Sequence, residues 1–213
     1  MNATPKVQLP RSPASNPLSL LRAVGLAFSA PPPVVGPRVT LRLPDMGDFV
    51  SWARLREASR RFLVPWEPAW PPDDLTRPAF RRRIARYRQD WRDDQGYAFF
   101  LHRNEDGALV GGMTLTNVRR GVAQTVSLGY WMGQGFAGKG YMSAAVRTII
   151  PYAFGALGLR RVEAACVPHN AASVGLLERV GFTREGVARQ YLCINGTWMD
   201  HALYAFVQGD RLG

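Results

Sequence analysis

The stretch Gly133-Gln-Gly-Phe-Ala-Gly-Lys-Gly-Tyr141 carries the strongest chemical signal in the chain. It follows Thr125 to Met132, an alternating run rich in β-branched and aromatic residues that reads as a strand. It precedes a helix-like run that opens at Tyr141. A strand, a glycine-rich turn and a helix together make a cradle for phosphate. Glycine permits positive φ and close approach of the backbone. The N–H groups of the turn and of the helix start then point at an anion, aided by the helix dipole. Lys139 adds a mobile positive charge. A P-loop is excluded, because Gly138-Lys139 is followed by Gly140 rather than by a hydroxyl residue that could hold magnesium. Gly133, Gly135 and Gly138 do spell G-x-G-x-x-G. However, the nearest suitable acid, Glu163, lies beyond the expected interval of about 20 residues, and the repeated βαβ units of a dinucleotide-binding domain are missing.

The residues around this cradle resemble a known family. Gly138-Lys-Gly140-Tyr141 is similar to the pyrophosphate loop of the GNAT acetyltransferases, Gln/Arg-x-x-Gly-x-Gly/Ala. Pro168-His-Asn170-Ala-Ala-Ser173, followed by Leu176 to Phe182, resembles their Asn-x-x-Ser…Gly-Phe segment. Phe62-Leu-Val-Pro-Trp66-Glu67-Pro68 and Tyr191-Leu-Cys-Ile-Asn-Gly196-Thr-Trp198-Met-Asp200-His201 resemble runs of the RimJ/RimL-like branch, the ribosomal-protein-alanine N-acetyltransferases. The likeness extends from Arg38 to Val207, about four-fifths of the chain. Two departures stand out. Gly135 occupies the usual Gln/Arg position, with Gln134 adjacent, and Ser143 stands where the helix often carries Glu. Neither removes a backbone donor.

The resemblance implies an α/β (α+β) GNAT fold. Its central sheet is mixed but mostly antiparallel, with about seven strands, splayed at the cofactor site, and helices on both faces. It also implies acetyl-coenzyme A as co-substrate, with no metal, and an acceptor protein N-terminus, alanine of a ribosomal protein. Direct transfer to an amine requires the thioester to be held, its carbonyl polarised, the amine deprotonated and the leaving thiolate protonated. By the family pattern, the strand at Tyr130-Trp131-Met132 offers main-chain groups to the pantetheine arm, and the Met132 N–H polarises the acetyl carbonyl. Gly135, Phe136, Ala137, Gly138, Lys139, Gly140 and Tyr141 hold the pyrophosphate. Asn170 hydrogen-bonds the pantetheine or caps its helix, or both. Ser173, one turn on, protonates the departing sulfur; the bland alternative is a surface serine. Glu67, clamped between Trp66 and Pro68, is the expected general base through a water, with burial favouring its protonated form. Two other readings of Glu67 stay open: binding the acceptor's α-ammonium, or a salt bridge with a nearby arginine. Trp66, Tyr191 and Asp200 are expected to contact the acceptor, with His201 a weaker candidate. His169 reads as a structural loop histidine.

The 213 residues suit one domain with an extension. Lys and Arg number 27 against 16 Asp and Glu, a net charge of +11. Such a surface attracts an anionic partner such as ribosomal RNA, or simply the anionic cofactor; arginine usage on a solvated surface is the bland reading. A ribosome-assembly or RNA-binding factor that retains the fold is therefore a rival reading. Another is an acetyltransferase of small amines or antibiotics. Cys166 and Cys193 sit in apolar strand-like runs without metal spacing, and read as free thiols in a reducing cytosol. No run of 18 apolar residues occurs, so a cytoplasmic protein without a membrane span is expected, either monomer or homodimer.

Residues 1–36, rich in Pro, Ser and Ala with basic charges only, read as a poorly packed extension. Residues 37–208 form the acetyltransferase domain and 209–213 a tail. Within the domain, Val39 to Leu43 starts the strands. Asp45 caps a helix through Phe49, Trp52, Leu55 and Arg56, which Pro65 and Pro68 close. Asp74 or Thr76 caps the next helix, whose buried stripe is Phe80, Ile84, Tyr87 and Trp91. Arg77, Arg81, Arg82, Arg83, Arg86 and Arg88 crowd its other faces, as a solvated surface or as a docking face for an acidic or RNA partner. Strands follow at Tyr97 to Arg103, Leu109 to Asn117 and Thr125 to Met132. A helix runs from Gly140 to about Leu157, then come a strand at Arg161 to Val167 and the helix Ala171 to Val180. A hairpin of Thr183 to Ile194 and Thr197 to Val207, turned at Asn195-Gly196, closes the chain.

Overall fold

The computed structural model describes residues 31–213. Its strands are β1 (Val34–Val35), β2 (Val39–Arg42), β3 (Gly96–Arg103), β4 (Leu109–Arg119), β5 (Thr125–Met132), β6 (Arg161–Cys166), β7 (Thr183–Ile194) and β8 (Thr197–Val207). The helices are α1 (Phe49–Ala58), α2 (Arg60–Leu63), α3 (Arg77–Arg92), α4 (Tyr141–Gly155) and α5 (Ala171–Val180). The strands form one 8-stranded sheet in the order β1-β2-β3-β4-β5-β6-β8-β7. The eighth strand is β1, which pairs Val34 with Leu41 and Val35 with Thr40. The sheet therefore begins inside the segment that the sequence assigns to the extension; residues 1–30 of that segment lie outside the described residues.

Every neighbouring pair of strands is antiparallel except β5 and β6, which run parallel from Thr125↔Arg161 to Leu128↔Ala164. That parallel register ends at Leu128, while β5 stays paired to β4 as far as Gly111↔Met132. β6 meanwhile continues along β8 to Cys166↔Ala202. The sheet thus opens into a wedge between Gly129–Met132 and Ala165–Cys166, which is the splay the family pattern implies.

The helices that flank this wedge follow local rules. Thr76 caps α3 by accepting from the Ala79 N–H, and Phe80, Ile84 and Trp91 form its buried stripe. With Trp52, Phe100 and Leu109 from α1, β3 and β4, Phe80 and Ile84 make a small core on one face of the sheet. The larger core lies on the other face, where α4 and α5 cover the strands with Val146, Ile149, Leu177 and Val180. Asp45 caps a short 3-10 turn, Met46–Asp48, ahead of α1, and the proline-bounded segment after α1 forms α2 and a second 3-10 turn, Val64–Trp66, before extended chain begins. The Asn195-Gly196 turn has φ of 44° and 83°, the left-handed pair that closes a two-residue hairpin. Among the described residues no helix is long and apolar enough to cross a membrane.

Candidate active site

The glycine turn leaves β5 through a 3-10 turn, Gln134–Phe136, and enters α4 at Tyr141. Gly138 and Gly140 have φ of 73° and 80°, which side chains other than glycine adopt only under strain. The first helical hydrogen bond back to the turn is Ala144 N–H to Gly140 O. The earlier N–H groups of α4 have no acceptor within the helix and remain available to an anion. A Cβ built at Gly135 or Gly138 would meet nothing within 4 Å, so the cradle is open.

Among the described residues three cations, Arg38, Arg103 and Lys139, surround the cradle, and two of them were not singled out from sequence. Arg38 donates to Lys139 O at 2.7 Å, and its guanidinium lies 4.6 Å from the Tyr141 ring centroid. Arg103 and Lys139 stand over Phe136, at 5.4 and 6.0 Å from its ring centroid. The root of the turn is fixed by the buried Ser59, whose Oγ accepts from the Gln134 N–H at 2.9 Å. The turn and its cations fit a pyrophosphate.

β5 contributes in two ways. The Gly133 N–H bonds Val110 O on β4. By strand alternation the Met132 N–H points the other way, into the wedge, where it can polarise a carbonyl. The Tyr130 side chain reaches α5, and its hydroxyl lies 2.7 Å from Ser173 Oγ. Burial pushes the Tyr130 phenol well above its ordinary value, and the Ser173 hydrogen bond opposes that shift. Burial likewise raises the Cys166 thiol, again opposed by Ser173. Ser173 is therefore a protonated hydroxyl held by a second protonated hydroxyl at the mouth of the wedge. Asn170 is the α5 cap, its Oδ1 accepting from the Ser173 N–H at 3.1 Å. Sequence reasoning placed Tyr130 here for its main chain only and missed the phenol.

Glu67 lies in a cleft of about 390 Å³ between α1, α3 and the β4–β5 edge, with Trp52, Trp70, Tyr130 and Trp131 among its walls. It is not an isolated acid clamped by Trp66 and Pro68. Both of its oxygens accept from the Arg56 guanidinium at 2.7 Å, and Oε2 also accepts from the Trp70 indole N–H at 2.7 Å. Arg56 is buried and lies 4.0 Å from the Trp70 ring centroid and 5.0 Å from that of Trp131. Of the readings open from sequence, the salt bridge with a nearby arginine is the one seen. The sequence signal for Arg56 was its place four residues after Trp52, on the buried face of α1. The main chain of Glu67 is tied to the hairpin tip, since the Asn195 N–H donates to Glu67 O at 2.9 Å.

The other expected acceptor contacts spread outward. Trp66 lies against His169 with the ring planes tilted by 51° and the centroids 5.5 Å apart. Asp200 lines a second depression of about 500 Å³, together with His169, Trp198 and Met199, and its Oδ1 accepts from the Gln190 N–H. Tyr191 is exposed and meets His201 edge-on, outside the Glu67 cleft. His201 is buried, with Nδ1 2.9 Å from Met199 O. Cys166 and Cys193 are free thiols, buried and half-buried respectively.

Residues 38–183 match the acetyltransferase (GNAT) domain family model. The chain is 32% identical over 173 residues to the [Ribosomal protein uS5]-alanine N-acetyltransferase of Escherichia coli, covering 81% of this chain and 89% of that protein. It is 39% identical over 181 residues to the putative ribosomal N-acetyltransferase YdaF of Bacillus subtilis, covering 84% and 96%. Among solved structures it is similar to Mycobacterium smegmatis RimJ in complex with CoA-disulfide, with a TM-score of 0.77, 31% identity, and coverage of 85% and 88%. With the wedge, the glycine cradle and the family match in agreement, the chain belongs to the GNAT acetyltransferases and uses acetyl-coenzyme A as its co-substrate.

Proposed function

We propose that the chain transfers the acetyl group of acetyl-coenzyme A directly to the α-amine at a protein N-terminus, alanine of a ribosomal protein. The observation that supports this reading is Glu67 in a cleft that Tyr130 also lines, with the Tyr130 hydroxyl in turn 2.7 Å from Ser173 Oγ on α5. An amine seated against Glu67 has the wedge in front of it. The tryptophans at positions 52, 70 and 131 wall the cleft in which the acceptor would sit. The named substrate of the Escherichia coli relative, alanine of ribosomal protein uS5, points the same way.

The coenzyme supplies the acetyl thioester; the chain supplies the rest. The turn from Gly135 to Tyr141, with Arg38, Arg103 and Lys139, holds the pyrophosphate. The Met132 N–H polarises the acetyl carbonyl, and Asn170 keeps Ser173 in place through the α5 cap. Glu67, fixed by Arg56 and Trp70, draws in the acceptor ammonium and takes its proton through a water. An α-amine titrates near pH 8, so only a modest base is needed at neutral pH. Ser173, held by Tyr130, gives its proton to the departing sulfur.

The test is release of free thiol from acetyl-coenzyme A in the presence of one acceptor at a time. An alanine-led peptide should support turnover, and Glu67→Gln should lower kcat by about ten- to a thousand-fold. Turnover with polyamines or aminoglycosides but not with the peptide would replace the protein acceptor with a small amine. Ribosome binding without any thiol release would favour an assembly factor.

A further inference from the structure

Helix α3 carries arginines at 77, 81, 82, 83, 86, 88 and 92, and Asp90 as its lone acid. At 3.6 residues per turn, Arg77, Arg81, Arg88 and Arg92 fall within a sector of about 60°. That sector flanks the buried stripe on the side away from Arg83 and Tyr87, which line the Glu67 cleft. All four side chains are exposed. The carboxylates next to the helix serve its other faces, Asp73 pairing with Arg82 and Asp74 with Arg83. Arg77 leans toward the Phe49 ring at 5.5 Å, and Arg92 hydrogen-bonds Gln89. Arg81 and Arg88 have no carboxylate partner among the described residues. Like charges spaced i,i+4, as at 77/81 and 88/92, weaken a helix. An ordinary solvated helix face interleaves acids with its bases, and this one does not.

We propose that the Arg77–Arg81–Arg88–Arg92 face of α3 is a docking surface for a folded RNA and grips its phosphate backbone. The stripe is about 22 Å long, from 15 steps of 1.5 Å, and presents forked guanidinium donors suited to phosphate oxygens. Pro78, Ala85 and Gln89 lie beside the arginine sector, and the Phe49 ring under Arg77 is half-buried against the small core, so the face holds no exposed large aromatic or aliphatic anchor. Protein partners dock on such anchors, with charges at the rim. A polar, strongly positive face without an apolar centre is the character of a nucleic-acid interface. The choice of RNA rests on the proposed acceptor, since a ribosomal protein has RNA as its neighbour. The surface would then orient the enzyme on its substrate without entering the acetyl-transfer site.

The test measures binding of a fluorescein-labelled RNA hairpin by anisotropy across a salt series, with the full chain. Removing two phosphate contacts in the double variant Arg81→Ala/Arg88→Ala should weaken binding about tenfold or more. It should also lower the slope of log affinity against log salt by about 1.4 to 1.8. Arg189→Ala/Arg211→Ala, an equal loss of exposed charge elsewhere, should retain wild-type binding. Acetyl transfer to a free alanine-led peptide should be unchanged in both, so failure of the RNA surface is separable from failure of the acceptor reading. Wild-type hairpin affinity in Arg81→Ala/Arg88→Ala would overturn the proposal. So would poly-glutamate displacing the hairpin at equal charge, which would assign the face to an acidic protein.

Discussion

Ser173→Ala tests the acid side of the site through two separate readouts. In the folded chain the Ser173 hydroxyl meets the Tyr130 phenol at 2.7 Å, where burial already disfavours ionisation of the phenol. Removing the serine oxygen strands that phenol, at a cost of about 1–3 kcal/mol. For a chain of this length each kcal/mol moves the thermal midpoint by about 2–4 °C, so a fall of about 2–12 °C is expected. Tyr130→Phe removes the phenol and leaves a serine hydroxyl that can turn to another partner, so it should cost only about 0.5–1.5 kcal/mol. In the Tyr130→Phe background nothing remains to be stranded, and adding Ser173→Ala should then be nearly neutral. A double-mutant cycle reads that non-additivity directly. In turnover, loss of the acid predicts a fall in kcat of about ten- to a thousand-fold for Ser173→Ala. Tyr130→Phe forfeits only the orientation of the serine, about 1 kcal/mol, and should lower kcat about five- to tenfold. The assay is thiol release at saturating peptide, with coenzyme affinity measured separately by calorimetry and expected to be unaltered. Wild-type kcat in Ser173→Ala would refute the acid role. Strictly additive stability losses would refute the hydroxyl pair.

The remaining predictions address the cradle, the cleft and the sheet. Gly138→Asp should abolish coenzyme binding by calorimetry, because it sets a carboxylate at the open cradle and strains a residue whose φ is 73°. Arg56→Met leaves the Glu67 carboxylate, 20% exposed, without its cation; chemical denaturation should report a loss of about 2–4 kcal/mol, and peptide KM should rise. Gly111→Ala would bring a Cβ within 2.5 Å of Trp131 O, so it should part β4 from β5 and lower both stability and kcat. Above about pH 10 stability should fall with rising pH. Tyr130 and Tyr204 are both pushed upward by burial, so the unfolded chain releases those protons first, and Tyr130→Phe should flatten the fall seen in pH-dependent melting.

The parts of the site that were legible in sequence are those whose signal is local. Gly138 and Gly140 announce positive φ by residue type alone, and both adopt it. Asn170 with Ser173 spells a helix cap, and the cap is made. Of the expected stripe of Phe80, Ile84, Tyr87 and Trp91, three are buried and fix the inner side of α3, whereas Tyr87 is half-buried and lines the Glu67 cleft. What escaped was set by tertiary contact. Arg38 reaches Lys139 across 101 positions, and Ser59 reaches Gln134 across 75. The Tyr130 phenol meets Ser173 only because β5 and α5 face each other across the wedge. Glu67 was legible as an acid in the acceptor region, but its environment was not, since Arg56 comes from a helix that turns back over it. β1 was missed because two valines next to prolines carry no alternating pattern, and pairing with β2 alone makes them a strand.

The most direct test of the account is where the acetyl group goes. A peptide with an N-terminal alanine and one internal lysine is incubated with acetyl-coenzyme A and the enzyme, then sequenced by tandem mass spectrometry. The account predicts a single added acetyl on the alanine α-amine, lost when Glu67→Gln and Ser173→Ala are combined. Acetyl on the lysine ε-amine instead, or on neither amine while the coenzyme binds normally, would contradict it.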